Sequence, residues 1–574
     1  MTWFDSLLPA AYHNLPIHWR LHLKNKLTTS TSRRKFLTAS LAAGAGMTIL
    51  PVLAEAHELE SNVAVPSTIT EFELDEATFT DLQKGMESGK FTARSITAKY
   101  LARIEAIDKN GPKLNSVIEI NPDALAIADA LDKERKAGKV RGPLHGIPIL
   151  IKDNLDTADK MMTTAGSLAL VGSKPLKDST VAAKLRAAGA VILGKTNLSE
   201  WANIRSSHST SGWSGRGGLT RNPYALDRNP CGSSSGSGAA VSANLCAAAI
   251  GTETDGSIVC PSSANGIVGI KPTVGLTSRA GIIPISHSQD GAGPMARTVR
   301  DAAILLGALT GVDTDDAATA ASKGNSFSDY TPYLDATGLK GARIGVARKY
   351  FGFSEPIDAL METALDAMRK AGATLVDPAD IDTFGKFDDS ELLVLLYELK
   401  ANMNAYLAKL GPNAPVKSLK EIIEFNEKHK DKEMPFFGQD LFLKAEQKGP
   451  LTDKAYLEAM DNNLQLARLK GMDALMDKHK LDAIMAPTAG TTCLTDLLNG
   501  DHFTGGSSNA AAVAGYPNIN VIGGYLHGMP VGLSIWGRAW SEPKLISIAY
   551  SFEQATRLRQ IPKFLPTLPL DPRG

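Results

Sequence analysis

Between residues 92 and 107, Ile96, Tyr100, Leu101 and Ile104 recur at helical spacing, with Arg94, Lys99 and Arg103 between them. That pattern predicts an amphipathic helix. Pro122 opens a second helical stretch that runs to Lys136, at the position prolines favour in helix starts. Residues 146–151, Gly-Ile-Pro-Ile-Leu-Ile, form a short apolar run that ends at Lys152-Asp153-Asn154. A run of that length predicts a buried strand. A helical segment follows at 179–188, then Ala190-Val191-Ile192-Leu193-Gly194 as the next strand. Strand, helix, strand in this order implies parallel pairing with helices over the sheet. The order repeats at 342–347, about 357–371 and 373–376, and Asp482-Ala483-Ile484-Met485-Ala486-Pro487 reads as another buried strand. Residues 380–475 are charged and helix-rich, a peripheral insert or cap by this reading. No stretch is rich enough in Gly, Ser or Pro to divide the chain. The pattern predicts one large α/β domain.

The amino-terminal region follows different rules. Ser32-Arg33-Arg34-Lys35-Phe36-Leu37 sets an arginine pair ahead of an uncharged run from Phe36 to Ala54. Gly44, Gly46, Thr38, Thr48 and Pro51 dilute that run, so it is a poor match to a stable membrane span. Ala54-Glu55-Ala56 supplies a small-residue cleavage pattern. Residues 1–56 therefore resemble a twin-arginine export signal. The expected partner of the precursor is the twin-arginine export machinery, and the expected destination is the periplasm or the medium. No stable membrane anchor is expected.

Charge narrows the function. The full chain carries 61 Lys+Arg and 61 Asp+Glu. Residues 1–56 hold six basic and two acidic side chains, which leaves 55 and 59 over residues 57–574, a net of −4. A mildly acidic body is ill suited to nucleic acid, which is held through its phosphates. The cysteines Cys231, Cys246, Cys260 and Cys493 form no CxxC pair, so a structural zinc site is not expected. Export would permit a disulfide, but spacing does not say which cysteines meet.

The chemistry concentrates in residues 212–275, which hold 12 Gly and 9 Ser. Within them, residues 229–270 carry only Glu253 and Asp255 as charged side chains. So neutral a stretch, so rich in hydroxyls and backbone N–H groups, predicts a buried hydrogen-bond network. A phosphate loop is excluded, because no Lys follows a GxxxxG spacing and Gly236-x-Gly238 lacks a third glycine. A flexible linker is excluded by the packing residues Ala239-Ala240-Val241 and Leu245-Cys246-Ala247. A G-x-S-x-G elbow in strand–turn–helix context is absent as well. His208 and His287 stand alone in Ser-rich loops.

Several segments resemble the amidase signature family. HGIPILIKDN at 145–154 is similar to its lysine motif, PCGSSSGSGAA at 230–240 to its Gly/Ser motif, and GTETDGSIVCP at 251–261 to its nucleophile motif. GIVGIKPTVG at 266–275, GKTNLSEWAN at 194–203, DAIMAPT at 482–488, GYPNINV and GMPVGLSIWG add further matches, so the likeness spans roughly residues 75–560. CGSSSGSG, GTETDGSIVCP, SGWSGRGG at 211–218 and AWSEPKL at 539–545 most resemble segments of bacterial peptide amidases.

The resemblance implies a mixed, mostly parallel central sheet covered by helices, no cofactor, and a Ser–Ser–Lys triad. Ser257 would be the nucleophile, Ser233 the bridging serine after a cis peptide bond, and Lys152 the terminal base. The backbone N–H groups of Thr254, Asp255, Gly256 and Ser257 would receive the oxyanion. The physical requirement is clear: a serine hydroxyl needs a base, and lysine serves only when burial has lowered its pKa. Most relatives carry glycine where this chain has Asp255, which is expected to point away or to meet the leaving nitrogen. Val521-Ile522-Gly523 stands where many relatives have proline after the valine. Glu253 reads as a structural anchor. Trp201, Trp213 and Phe437 are candidate substrate contacts at the pocket mouth, though ordinary packing is the more common role of such residues. The expected substrate is a small amide or short peptide amide. A broad aryl or aliphatic amidase or esterase, a glutaminase-type subunit of a transamidating complex, and an inactive binding protein are the competing readings.

Overall fold

The computed structural model describes residues 71–412 and 414–569, and the predicted export signal at 1–56 lies outside them. The strands, in chain order, are β1 (Val117–Ile120), β2 (Pro148–Lys152), β3 (Val191–Thr196), β4 (Trp213–Ser214), β5 (Gly218–Leu219), β6 (Ala248–Glu253) and β7 (Val268–Lys271). They continue with β8 (Gly291–Ala296), β9 (Arg343–Val346), β10 (Thr374–Val376), β11 (Ala483–Pro487), β12 (Asn518–Leu526) and β13 (Met529–Trp536). Strands β4 and β5 form a separate hairpin, and the other eleven make one sheet in the order β1-β3-β2-β6-β8-β7-β12-β13-β11-β9-β10.

The sheet is mixed, as expected, and its parallel pairs fall where the strand–helix–strand pattern placed them. β3, β2 and β6 run parallel on one flank, and β11, β9 and β10 on the other. Between these flanks β6, β8, β7, β12, β13 and β11 pair antiparallel, and β1 joins β3 antiparallel at the edge. The predicted helices appear at Ala93–Arg103, Ala124–Lys136, Thr180–Ala187 and Glu355–Lys370. Strands β2, β3, β6, β8, β11 and β13 are buried along their whole length. Helices and loops therefore cover both faces, which is why these strands read as continuous apolar runs. Among the described residues no helix is long and apolar enough to cross a membrane.

The region at 380–475 is helical, as expected, but it is built into the body. Its long helix, Asp388–Lys409, carries a polar stripe made of Glu391, Glu398, Asn402 and Tyr406. Spacings of seven, four and four put these side chains on one face, and that face meets residues 286–290 and Asp156. Glu398 is fully buried and accepts hydrogen bonds from Ser286 Oγ (2.6 Å), Ser288 N (3.1 Å) and Tyr456 Oη (2.8 Å). His287 Nε2 lies 3.2 Å from the same carboxylate. Glu433, further along the insert, accepts from Leu168 N and Ser167 Oγ. These buried contacts stitch the insert to the loops at the carboxyl ends of the parallel strands.

Candidate active site

Open α/β sheets build their sites beyond the carboxyl ends of parallel strands, and here two neighbouring strands end together. β2 and β6 pair Ile149 with Ala248, Leu150 with Ala249 and Ile151 with Ile250. Lys152 follows Ile151, and its side chain reaches forward to Thr252, two residues beyond Ile250. Lys152 is fully buried, and its Nζ lies 2.8 Å from Ser233 Oγ, 2.9 Å from Thr252 Oγ1 and 3.2 Å from the Thr252 carbonyl. Burial pulls its pKa down to about 7, and the longer-range pull of the Glu253 and Asp290 carboxylates does not offset this. Asp153 points to the opposite face, where Thr164 Oγ1 donates to it and Arg216 pairs with it at 3.3 Å. The adjacent acid therefore does not neutralise Lys152.

Ser233 is also fully buried, and the Gly232–Ser233 peptide bond is cis. A Cβ at Gly232 would collide with Ser199 Oγ, so any larger residue there would displace a hydroxyl that accepts from Gly212 N. The predicted network is present. Ser234 Oγ donates to the Thr252 carbonyl (3.0 Å) and accepts from Thr252 N (3.2 Å), and Ser237 Oγ donates to the Ile250 carbonyl (3.0 Å). The Gly/Ser motif is thereby laid along β6.

Ser257 sits on the loop that leaves β6, and it is 8% exposed. Its carbonyl accepts from Ser234 N at 3.2 Å, which fixes the Ser257 backbone against the Ser233–Ser234 segment. The structure thus joins Lys152 directly to Ser233 and sets the Ser257 backbone beside them. Ser257 Oγ makes no hydrogen bond to any described residue. The backbone N–H groups of Thr254, Asp255 and Ser257 donate to no acceptor among the described residues either, which leaves them available to an oxyanion. Gly256 holds the turn at φ +77°, a conformation that favours glycine. Its N–H approaches the Glu253 carboxylate. Glu253 also accepts from Ile258 N (2.6 Å) and Val259 N (3.0 Å), an anchor for the helix Val259–Ala264.

The Asp255 side chain turns toward Ser508 and Glu391. Burial, with the nearby carboxylates, raises both acids above the usual carboxylate range. Gln289 Nε2 bridges the assembly, 2.8 Å from Glu391 Oε1 and 3.4 Å from the Thr254 carbonyl.

The three aromatic candidates belong to packing. Trp201 is 2% exposed and meets Phe442 edge-on at 5.7 Å. Trp213 meets Phe437 at 5.2 Å, and the Arg205 guanidinium lies 4.3 Å from the Phe437 ring centroid. None of them lines the large cavity at the site, whereas Ala202, beside Trp201, does. This cavity, about 630 Å³, runs past Asn154, Thr252 and Thr254 to a wall of Ile282, Ile283, Pro284 and Ile285. Nothing in the sequence pattern singles out Thr252, Asn154 or Gln289. Their roles come from strand register and from contacts across about 100 residues, for which spacing gives no sign.

Cys231 and Cys260 form a disulfide across 29 positions. The bond ends two residues before Ser233 and three after Ser257, so it ties the two serine-bearing loops together. Loss of a crosslink this long costs on the order of 3–4 kcal/mol. Reduction, or Cys260→Ser, is expected to lower the unfolding midpoint and to depress kcat more than it raises KM. Urea unfolding and steady-state kinetics with and without a dithiol reductant check both effects.

A buried lysine–serine pair and a serine-bearing turn thus stand together at the strand ends of an α/β sheet, and among the described residues no histidine hydrogen-bonds to Lys152, Ser233 or Ser257. The Amidase family model matches residues 95–546. An Arabidopsis thaliana protein described as a probable amidase is 43% identical over 514 residues, covering 88% of this chain and 94% of that one. The native peptide amidase of Stenotrophomonas maltophilia is 51% identical, with a TM-score of 0.82 over 86% of this chain and 100% of that structure. A glutamyl-tRNA(Gln) amidotransferase chain of Acinetobacter baumannii is 35% identical over 83% of this chain and 95% of its own length. The chain belongs to the amidase signature family, and it is an amidase-family hydrolase.

Proposed function

We propose that this protein hydrolyses carboxamides, foremost the C-terminal amides of peptides, through an acyl-enzyme formed by Ser257, Ser233 and Lys152. The observation that carries the reading is the setting of Lys152: a buried amine with three oxygens in reach and no carboxylate in ion-pair contact among the described residues. Uncharged, Lys152 has two N–H groups for the two Thr252 oxygens and one lone pair for the Ser233 proton. That count suits a base and leaves nothing unpaired.

Lys152 takes the proton of Ser233 as Ser233 takes that of Ser257, and Ser257 Oγ attacks the amide carbon. The oxyanion is received by the backbone N–H groups of Thr254, Asp255 and Ser257, while the Gly256 N–H, the fourth one expected, is turned to the Glu253 carboxylate. Each well-placed donor lowers the barrier by about 3–4 kcal/mol. The proton returns through Ser233 to the leaving nitrogen, ammonia departs, and water repeats the route to free the acid. The likeness to peptide amidases supports the substrate class, and the cavity beside Thr252 and Thr254 supplies room for an acyl group of peptide size. Export through the twin-arginine route belongs to the same proposal; the Arg33-Arg34 signal supports it, as does the disulfide, since such bonds persist outside the cytoplasm.

The test is ammonia release and product mass for a panel of peptide amides, benzamide, p-nitrophenyl esters and glutamine. Peptide amides should give the highest kcat/KM. Preference for benzamide or esters would establish the broad-amidase reading instead, and glutamine as the sole substrate the transamidating one.

A further inference from the structure

The cavity that runs past Thr252 and Thr254, next to Lys152, Ser233 and Ser257 but not lined by them, holds a feature that the proposed chemistry does not use. Asp156 lies four residues beyond Lys152, lines the cavity and is only 6% exposed. Its Oδ1 accepts a hydrogen bond from Tyr406 Oη at 2.8 Å. Thr163 also stands beside the carboxyl, but its hydroxyl donates to the Leu155 carbonyl (3.3 Å), and Oδ2 is left without a hydrogen bond of normal geometry from the described residues. The nearest ammonium, Lys195, is engaged elsewhere: its Nζ donates to the Leu155 carbonyl (2.6 Å) and Thr163 Oγ1 (2.9 Å). No Arg or Lys forms an ion pair with Asp156 among the described residues. Buried carboxylates elsewhere in the chain are provided for. Asp290, on the same cavity, accepts from Thr254 Oγ1, Ile285 N and Ser286 N, and Arg279 grips Asp316 with two guanidinium nitrogens.

A carboxyl buried this deeply with one lone oxygen is costly unless something brings it a donor. Resting on the amidase reading, we propose that Asp156 and Tyr406 form a subsite for a cationic nitrogen on the acyl side of the substrate. That nitrogen is the free α-ammonium of a short peptide amide or the ammonium or guanidinium of a basic side chain. Three features agree with it. Thr252 and Thr254 place the cavity against the reaction centre. The lining carries five carboxyls, from Asp156, Asp178, Asp290, Asp315 and Asp316, against three permanent cations, Lys177, Arg279 and Lys409. Arg279 is spent on Asp316, exposed Lys177 lies 4.0 Å from Asp315, Arg186 pairs with Asp178 at 2.9 Å, and Lys409 is an exposed side chain, so Asp156 is the lining carboxyl left with neither an ion pair nor a full set of donors among the described residues. The isoleucine wall and Leu410 would cover the rest of the acyl group.

The test compares aminoacyl, dipeptide and tripeptide amides, each with a free and an N-acetylated terminus, plus N-acetylated peptide amides carrying Lys, Arg or Gln side chains. Wild type should prefer the cationic member of at least one pair by about tenfold or more in kcat/KM, the scale of a charge-assisted hydrogen bond. The pairs that respond tell an α-ammonium from a side-chain cation. Asp156→Asn should bring that ratio to about one, whatever it does to the absolute rates. Tyr406→Phe, which keeps the ring, should give an intermediate ratio and guards against a folding defect in the first variant. Calorimetric binding of the same pairs to Ser257→Ala reads the subsite without turnover. Equal binding of charged and acetylated partners there, or a ratio that survives Asp156→Asn, overturns the inference. A binding preference that is present while wild type turns over no amide overturns the amidase reading and leaves the subsite standing.

Discussion

Ser257→Ala is expected to lower kcat on a peptide amide by about 10⁴–10⁶-fold, the range seen when a covalent nucleophile is deleted and the remaining groups still bind substrate. KM should move little, because the oxyanion donors are backbone groups and the alanine keeps them. Stability should be nearly unchanged, since Ser257 Oγ makes no hydrogen bond to the described residues and its removal strands no partner. The same experiment addresses the covalent step. With a slowly hydrolysed ester, wild type should gain the mass of an acyl group on the peptide that contains Ser257, and the variant should not. Ser233→Ala makes a useful contrast: it removes the hydroxyl that faces the Lys152 lone pair, so that side of the amine is left without a partner. A Ser257→Ala enzyme that keeps more than about one hundredth of the wild-type rate would assign the nucleophile elsewhere.

Much of this site is legible from the sequence, because its parts are local. The apolar run before Lys152, the neutral stretch around Ser233 and the turn with Gly256 each announce themselves within about ten residues. What the sequence leaves hidden is everything that needs register. Thr252 becomes a partner of Lys152 only because β6 aligns Ile250 with Ile151. The antiparallel centre of the sheet is hidden because β8 reads Gly-Ala-Gly-Pro-Met-Ala and β13 is buried along its whole length, so neither gives the alternation that marks a half-buried strand. The insert misleads in another way. Glu391, Glu398, Asn402 and Tyr406 form a polar stripe, and such a stripe on a charged helix reads as a solvated face. Here it turns inward because Ser286, Ser288, Gln289 and Asp156 supply the partners. Trp201, Trp213 and Phe437 mislead in the opposite sense: their size suggests recognition, and they fill the joint between insert and body.

Lys152→Met should abolish activity and yet leave the fold at least as stable at neutral pH. Both halves follow from one displaced equilibrium. Burial holds the Lys152 pKa at about 7 in the folded chain, against about 10.4 in the unfolded one. At pH 7 that difference opposes folding by on the order of 4 kcal/mol. Methionine is apolar and of similar length, so it removes the opposition, while the lost hydrogen bonds to Ser233 and Thr252 give part of it back. Proton binding fixes the sign of the pH dependence. Between pH 7 and about 10 the unfolded chain holds the proton and the folded one does not, so wild type gains on the variant by about 1.4 kcal/mol per pH unit. Paired urea melts at pH 7 and pH 9 read this directly. Catalysis follows the same group. The neutral amine is the base, so kcat/KM of wild type should fall about tenfold per unit below pH 7 and level off above pH 8. A rate that stays flat down to pH 5, or a variant that loses stability relative to wild type at pH 7 and does not change with pH, would mean that position 152 holds an ammonium, and the proton route through Ser233 would have no terminus.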